Sequence, residues 1–205
     1  MTSILAVSLV ALTRLACSPT VRLAPGACWP DQAVFFANHT SHLDFIVIWS
    51  VLPRPLQERT RPVAARDYWS KGMVKPRLAS DVFHAVLVER ASTSVATLRR
   101  ELTQLTDVLD AGQSLIIFPE GTRGTGPSVA PFRGGIDFLA RSRPDVDFVP
   151  VHLDRLQRIM PKGEFLPVPQ LSTVTFGPAI RRLPGDTTDV FLARAREAVA
   201  SLSPA

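Results

Sequence analysis

Five runs of strand length are separated by segments that are amphipathic or richer in polar residues. They occupy residues 33–37, 85–88, 115–118, 147–153 and 171–176. Runs that are apolar at successive positions predict strands buried on both faces, as in a parallel sheet. Pro150 lies inside the fourth run. Because proline has no backbone N–H group, it predicts an edge strand or an irregular position there.

Helices are predicted between these strands. In residues 93–111, apolar side chains recur in alternating steps of three and four from Val95 to Leu109, and Gly112 follows. This period, closed by glycine, predicts an amphipathic helix. Other helices are predicted at residues 3–17, 45–52 and 188–202, with a short one ending at Arg141. The alternation predicts an α/β fold: a single domain with a central, mostly parallel sheet flanked by helices.

The first helix is predicted to belong to a separate N-terminal segment, residues 1–22, that precedes a main domain at residues 23–205. Arg14 interrupts its apolar run before the run reaches the about 20 residues that span a bilayer. A positive charge before the run, which a signal peptide would carry, is missing. The pattern therefore predicts a short helix at a membrane interface, with a helix of the core as the alternative.

Charge narrows the classes of partner. The 205 residues carry a formal net charge of +5, which favours nucleic acid, an anionic lipid surface or a phosphorylated substrate. Aromatic residues are only 7% of the chain and are not interleaved with basic ones, which disfavours nucleic acid. Residues 54–77 combine seven basic and two acidic side chains with Tyr68, Trp69 and Met73. That composition suits an anionic membrane surface, although a solvated face would also explain it.

His39 and Asp44 flank a predicted strand-to-helix turn. A histidine accepts a proton near neutral pH, and a carboxylate beside it orients the ring and stabilises the imidazolium. Such a pair can activate the hydroxyl group of a substrate. Alternatively, Asp44 only caps the helix, because Ser41 and Asp44 have the spacing of a capping box, and His39 is an ordinary turn residue.

A second polar group follows the strand at residues 115–118. Pro119 ends the strand, and Glu120, Gly121, Thr122 and Arg123 come directly after it. An acid, a hydroxyl and an arginine are thereby placed at the end of a buried strand, although a surface turn with a helix cap is the simpler interpretation. Arg90 ends another predicted strand. Guanidinium groups at these ends suit a phosphate, because they donate bidentate, charge-assisted hydrogen bonds.

A metal site is disfavoured. His39, His42 and Asp44 have one residue too many for the known zinc-hydrolase spacing, and only His84 and His152 remain as further imidazoles. Cys17 and Cys28 have no metal-ligand spacing and are predicted to be reduced thiols. We expect no metal and no cofactor.

Together these residues resemble the four ordered blocks of the glycerolipid acyltransferases, most strongly the bacterial 1-acylglycerol-3-phosphate acyltransferases. The blocks are NHTSHLD at 38–44, the strand ending in Arg90, FPEGTRG at 118–124 and VPVHL at 149–153. The resemblance extends from about residue 30 to residue 180. The second block departs from the family, because residues 84–90 lack its usual glycine and phenylalanine.

The resemblance implies a role for each matched residue. His39 is the general base that takes a proton from the free hydroxyl of a lysophospholipid, and Asp44 holds its tautomer. Acyl-CoA or acyl carrier protein is the co-substrate that supplies the thioester. The acceptor-binding block comprises Glu120, Gly121, Thr122 and Arg123. Arg90 is a further phosphate ligand, and Pro150 belongs to the block near the acyl site.

The resemblance implies that the protein acylates 1-acylglycerol-3-phosphate to phosphatidic acid in phospholipid biosynthesis. The implied location is peripheral or monotopic, on the cytoplasmic face of the inner or plasma membrane. An acyltransferase for another lysophospholipid or for glycerol-3-phosphate would use the same blocks. Two further alternatives are thioester hydrolysis with water as acceptor and a non-catalytic lipid-binding module, although such a module would not need His39 and Asp44.

Overall fold

A computed structural model describes residues 4–41, 43–89, 94–124, 128–156 and 171–204. Within these ranges one sheet contains seven strands: β1 Pro19–Leu23, β2 Ala33–Ala37, β3 Thr60–Ala65, β4 Val86–Val88, β5 Ser114–Ile117, β6 Asp147–Asp154 and β7 Ser172–Phe176. Their order is β1-β7-β6-β2-β5-β3-β4. Only β6 and β7 pair antiparallel, so the expected mostly parallel α/β sheet is confirmed.

Helices connect the strands and cover both faces of the sheet. They are α1 Ile4–Cys17, α2 Asp44–Val51, α3 Arg54–Arg59, α4 Arg66–Trp69, α5 Val74–Arg77, the π-helical turn Leu78–Val82, α6 Val95–Asp110, α7 Gly135–Ser142 and α8 Thr188–Ala200. The long amphipathic helix predicted around residues 93–111 is α6. Gly112 follows it with a φ of 71°, a backbone conformation that favours glycine.

The core has two layers because successive strand residues point to opposite faces of the sheet. On one face Phe35, Ile116 and Val149 pack with α2, whose residues 44–50 are all buried. On the other face Phe36, Leu115 and Phe148 pack with residues of α6, α7 and α8. Burial on both faces explains why β2 is apolar at every position and β5 at every position after Ser114.

Two strands were not predicted from the sequence. β1 lies mostly within the segment that was predicted to precede the main domain, and it pairs with β7 from Pro19 to Leu23. Its side chains are mostly exposed, so it has no apolar run. β3 contains Arg61 and Pro62, which obscure the strand pattern, yet it pairs with both β4 and β5.

The prediction of an edge strand at Pro150 is wrong. β6 lies inside the sheet, between β2 and β7. Its pairing with β7 begins only at Val151, and the Pro150 carbonyl accepts a hydrogen bond from Gly177 just beyond β7. Pro150 therefore occupies the irregular position that was the other alternative, where the regular β7 ladder has ended.

Candidate active site

The candidate site lies where β2 and β5 end. These two strands are parallel neighbours, with Val34 opposite Leu115 and Phe36 opposite Ile117. Their carboxyl ends therefore meet at one edge of the sheet, where α/β proteins place their binding sites. The residues after β2 and the turn after β5 come together there, although about 80 residues separate them in the chain.

His39 and Asp44 form a hydrogen-bonded pair at this edge. The imidazole Nδ1 lies 2.8 Å from Asp44 Oδ2. An ionised carboxylate can only accept a hydrogen bond, so Nδ1 carries the hydrogen and Nε2 keeps its lone pair. The His39 side chain is 23% exposed whereas that of Asp44 is fully buried. The pair thus has the geometry of a base oriented by a buried acid.

Asp44 is held by the turn that it follows. Its Oδ2 also accepts hydrogen bonds from the backbone N–H groups of Thr40, at 2.6 Å, and Ser41, at 2.9 Å. The bond from Ser41 is half of the predicted capping box, while the Ser41 hydroxyl accepts from Leu43 instead of completing the box. Asp44 therefore organises the start of α2 and orients the His39 ring at the same time.

Two further contacts fix His39, and the sequence did not single out either of them. The ring stacks on Phe118, with 4.3 Å between ring centroids and 23° between planes. The preceding residue, Asn38, exchanges two hydrogen bonds with the Leu153 backbone of β6, at 3.0 and 2.8 Å. Asn38 could have been found as a polar residue directly after a strand that is otherwise wholly apolar.

Glu120 binds backbone groups rather than facing solvent. One carboxylate oxygen accepts from the N–H of His39 at 2.9 Å, and the other accepts from the N–H of Ala130 at 3.3 Å. The residue is 5% exposed. Burial raises the pKa of Glu120 against the opposing effect of these two hydrogen bonds. The carboxylate thus joins the His39 turn to the chain that follows the β5 turn.

The backbone conformation of Gly121 favours glycine, and an arginine side chain occupies the space that its Cβ would fill. Its φ is +73°, and its N–H donates to the Phe118 carbonyl at 3.0 Å. A Cβ at this position would lie 2.5 Å from Nε of Arg133, whose side chain crosses the turn. Arg133 was not among the residues singled out from the sequence.

The other predicted site residues are placed unevenly. Thr122 is exposed and Arg123 is half-buried, both in the turn after β5, and none of the described residues forms a hydrogen bond or an ion pair with Arg123. Pro150 pairs with Phe36, three residues before His39, so it lies inside the sheet rather than at its edge. Arg90 lies outside the described residues, and the strand before it, β4, is separated from β5 by β3. The substrate-binding roles of these residues remain predictions.

The metal alternative involved His42, which lies outside the described residues. Among the residues that are described, His, Cys, Asp and Glu side chains do not group in threes as metal ligands would. The expectation that the protein needs no cofactor remains a prediction. The buried thiol of Cys17 is free, and burial, together with the charge of Asp44, raises its pKa to about 11.

The family model named Acyltransferase matches residues 27–154 of the chain. The chain belongs to the Acyltransferase family. The match contains β2, α2 and β5 with both polar turns, and it ends with β6. His39, Asp44 and Glu120 therefore all lie inside the acyltransferase match.

Curated relatives of this acyltransferase-family chain carry one name, 1-acyl-sn-glycerol-3-phosphate acyltransferase. The protein from Chlamydomonas reinhardtii is 28% identical over 179 residues, which cover 85% of this chain and 50% of the relative. The protein from Limnanthes douglasii is 26% identical over 153 residues, 73% of this chain and 50% of the relative. The alpha form from Mus musculus is 30% identical over 132 residues, which cover 64% of this chain and 43% of the relative. The chain thus spans about half the length of the curated relatives it matches.

A solved structure shows the same fold. It is the 1-acyl-sn-glycerophosphate (LPA) acyltransferase PlsC from Thermotoga maritima, with a TM-score of 0.71 over 94% of this chain and 77% of that chain. Sequence identity is 17%. The similarity shows that this acyltransferase-family chain shares the PlsC fold, and the expected glycerolipid-acyltransferase-like architecture is confirmed.

Proposed function

We propose that this protein transfers an acyl group from acyl-CoA or acyl carrier protein to the free hydroxyl of 1-acylglycerol-3-phosphate, forming phosphatidic acid. The observation that carries the proposal is the 2.8 Å contact between His39 Nδ1 and Asp44 Oδ2. It leaves Nε2 as the basic nitrogen of a partly exposed imidazole. The names of the curated relatives support this choice of acceptor.

In the proposed reaction the substrate hydroxyl is the nucleophile. His39 Nε2 takes its proton as the hydroxyl oxygen bonds to the carbonyl carbon of the thioester. The C–S bond then breaks, and the leaving thiolate takes the proton from the imidazolium. The products are an ester and a free thiol, with no acyl-enzyme intermediate. The buried carboxylate of Asp44 stabilises the transient imidazolium and keeps Nε2 directed at the hydroxyl.

The phosphate of the acceptor is proposed to bind at the turn after β5. Arg123 is half-buried there, and its side chain has no hydrogen-bond or ion-pair partner among the described residues, which supports a role for its guanidinium in binding the anion. Arg90 is proposed as a second ligand. A phosphomonoester held at this point lies beside the turn that carries His39, as the reaction requires for the adjacent glycerol hydroxyl.

We further propose that the protein works at the surface of an anionic membrane, peripheral or monotopic, on the cytoplasmic face. Met73 and Val74 are adjacent, 77% and 67% exposed, and flanked by Lys71 and Lys75. Apolar side chains among basic ones suit the boundary between lipid headgroups and acyl chains. Within the described ranges, every helix falls short of the length and apolarity that crossing a bilayer requires.

A cleft lies close in sequence to this pair and has a volume of about 410 Å³. Trp69, Pro76, Ala79 and Leu87 line it together with Ser70, Arg77, Ser80 and Asp81. We propose that its apolar part holds an acyl chain. Apolar clefts of this size are typical of sites for small lipophilic ligands. The cleft would admit a chain from the membrane surface on which Met73 and Val74 are proposed to rest.

The experiment that tests the function compares acceptors. Purified protein is incubated with acyl-CoA or acyl carrier protein and with lysophosphatidate, other lysophospholipids or glycerol-3-phosphate, and the products are identified by mass spectrometry. His39→Ala should lower the rate by about 10²–10⁴, as expected for loss of a general base. His84→Asn is the matched control, because His84 is an exposed histidine with a φ of 46°, which asparagine tolerates.

A folded His39→Ala protein with activity within a few-fold of the parent would refute the base. Products from another acceptor, at a higher kcat/KM than lysophosphatidate, would refute the choice of acceptor and leave the base in place. Release of free fatty acid alone would instead support thioester hydrolysis.

A further inference from the structure

The side chain of Arg133 lies across the turn that follows β5. Its Nε, Cζ and Cδ atoms would be 2.5, 2.7 and 2.9 Å from a Cβ at Gly121. At these short distances, the Nε end of the Arg133 guanidinium occupies the space that a side chain at Gly121 would fill. The backbone supports this placement, because the Arg133 N–H donates to the Pro119 carbonyl at 2.9 Å.

This guanidinium has no partner among the described residues. The Arg133 side chain forms no hydrogen bond or ion pair with any of them, and the residue is exposed. The nearest carboxylate in the turn, that of Glu120, already accepts from the N–H groups of His39 and Ala130. Arginines elsewhere on α7 and after β7 are paired: Arg141 and Arg182 both bind Asp137. In the part of the chain that the structure describes, Arg133 therefore presents unpaired donors beside the turn.

That position is adjacent to the proposed base. Glu120 binds the N–H of His39 at 2.9 Å, and Gly124 donates to the His39 carbonyl at 2.8 Å. Gly121 lies between Glu120 and Gly124, so the turn under Arg133 is hydrogen-bonded to the His39 backbone on both sides of Gly121. A ligand held by Arg133 is consequently beside the turn that carries His39.

We propose that Arg133 is a ligand of the phosphomonoester of the acceptor, in addition to the predicted Arg123. The inference rests on the proposed acylation of a lysophosphatidate. Two guanidinium groups suit a dianionic phosphate, because each donates a planar pair of charge-assisted hydrogen bonds. A side chain at Gly121 would then displace the Arg133 guanidinium from the turn, in addition to straining a backbone with a φ of +73°.

The test measures binding without turnover. A short-chain lysophosphatidate that stays monomeric in water is equilibrated with the full-length protein in the absence of any thioester, and its affinity is measured by equilibrium dialysis. Arg133→Ala should weaken binding by about tenfold to a hundredfold, the loss expected for hydrogen bonds to a charged group. Arg133→Lys should bind with an affinity between those of the parent and Arg133→Ala, because it keeps the charge but not the planar donor pair.

Arg22→Ala is the matched control. Arg22 is an exposed arginine of the edge strand β1, and its removal changes the net charge by the same amount. It should leave the affinity unchanged. Coenzyme A, tested as a second ligand, separates the acceptor phosphate from the phosphates of a donor.

Each outcome decides the proposal. An affinity of folded Arg133→Ala within twofold of the parent would overturn it, as would an equal loss in Arg22→Ala. Weaker binding of coenzyme A alone would assign Arg133 to the donor and also overturn it. If the parent binds no lysophosphatidate, the proposed acceptor fails together with Arg133. If the parent binds lysophosphatidate and Arg133→Ala binds it with the same affinity, only the proposed role of Arg133 is refuted. Should Arg133→Ala not fold, Arg133→Lys with full affinity is the refuting result.

Discussion

The carboxylate of Glu120 offers a sharp test of how the site is held together. The resemblance to glycerolipid acyltransferases implies that Glu120 binds the acceptor, whereas its two oxygens accept from the backbone of His39 and Ala130. Glu120→Gln keeps the size of the side chain but replaces one acceptor oxygen with an NH₂ donor. The backbone N–H group that faces this NH₂ then loses its hydrogen-bond acceptor. Water has little access to replace that acceptor, because Glu120 is only 5% exposed.

The size of the effect follows from this geometry. One buried donor without a partner costs about 1–3 kcal/mol, and we expect the free energy of unfolding to fall by this amount. The affected turn also carries His39, and a displacement of a reacting group by about 1 Å costs on the order of 10² in rate. We therefore expect kcat to fall by about tenfold to a hundredfold, with the KM for lysophosphatidate within about threefold of the parent.

The assay determines kcat and KM for lysophosphatidate at saturating acyl-CoA, together with urea unfolding of the same preparations. Glu197→Gln is the control, because Glu197 is an exposed glutamate of α8 whose side chain forms no hydrogen bond with the described residues. A raised KM with unchanged kcat and stability would refute the positioning role. It would show that Glu120 binds the acceptor, as the resemblance implies.

Other perturbations have equally definite expectations. Arg123→Lys should raise the KM for lysophosphatidate by about tenfold to a hundredfold while thioester hydrolysis by water changes little; equal effects on both would contradict the phosphate role. Met73→Asp should weaken sedimentation with anionic vesicles at low salt, while Val95→Asp, at a position 71% exposed, should not; equal binding by both variants would contradict the membrane contact. The ion pair with Arg194 lowers the pKa of Asp186 from 3.8 to about 2. Above pH 3.8 the parent protein should therefore resist urea unfolding better than the Asp186→Asn variant, and this difference should disappear as the pH falls toward 2. A difference in stability that does not change with pH would contradict this.

The local pattern of the sequence was enough for most elements of the fold and for the central pair of the site. Strand β2 is apolar at every position and β5 at every position after Ser114, and α6 repeats its apolar residues with a helical period. Each could therefore be recognised without knowledge of its neighbours. His39 and Asp44 are five residues apart. A strand-to-helix turn brings groups so close in sequence together wherever the strand lies in the sheet.

The tertiary structure decided what depends on distant parts of the chain. Glu120 reaches the N–H of His39 across 81 residues, and Asn38 reaches Leu153 across 115, because β2 lies between β5 and β6. A local pattern carries no information on strand order, so it could not show that Glu120 supports the base or that Pro150 is interior. Strand order depends on how the whole chain packs into one sheet with helices on both faces. The same packing brings Arg133 over Gly121, a contact that neither residue's local sequence encodes.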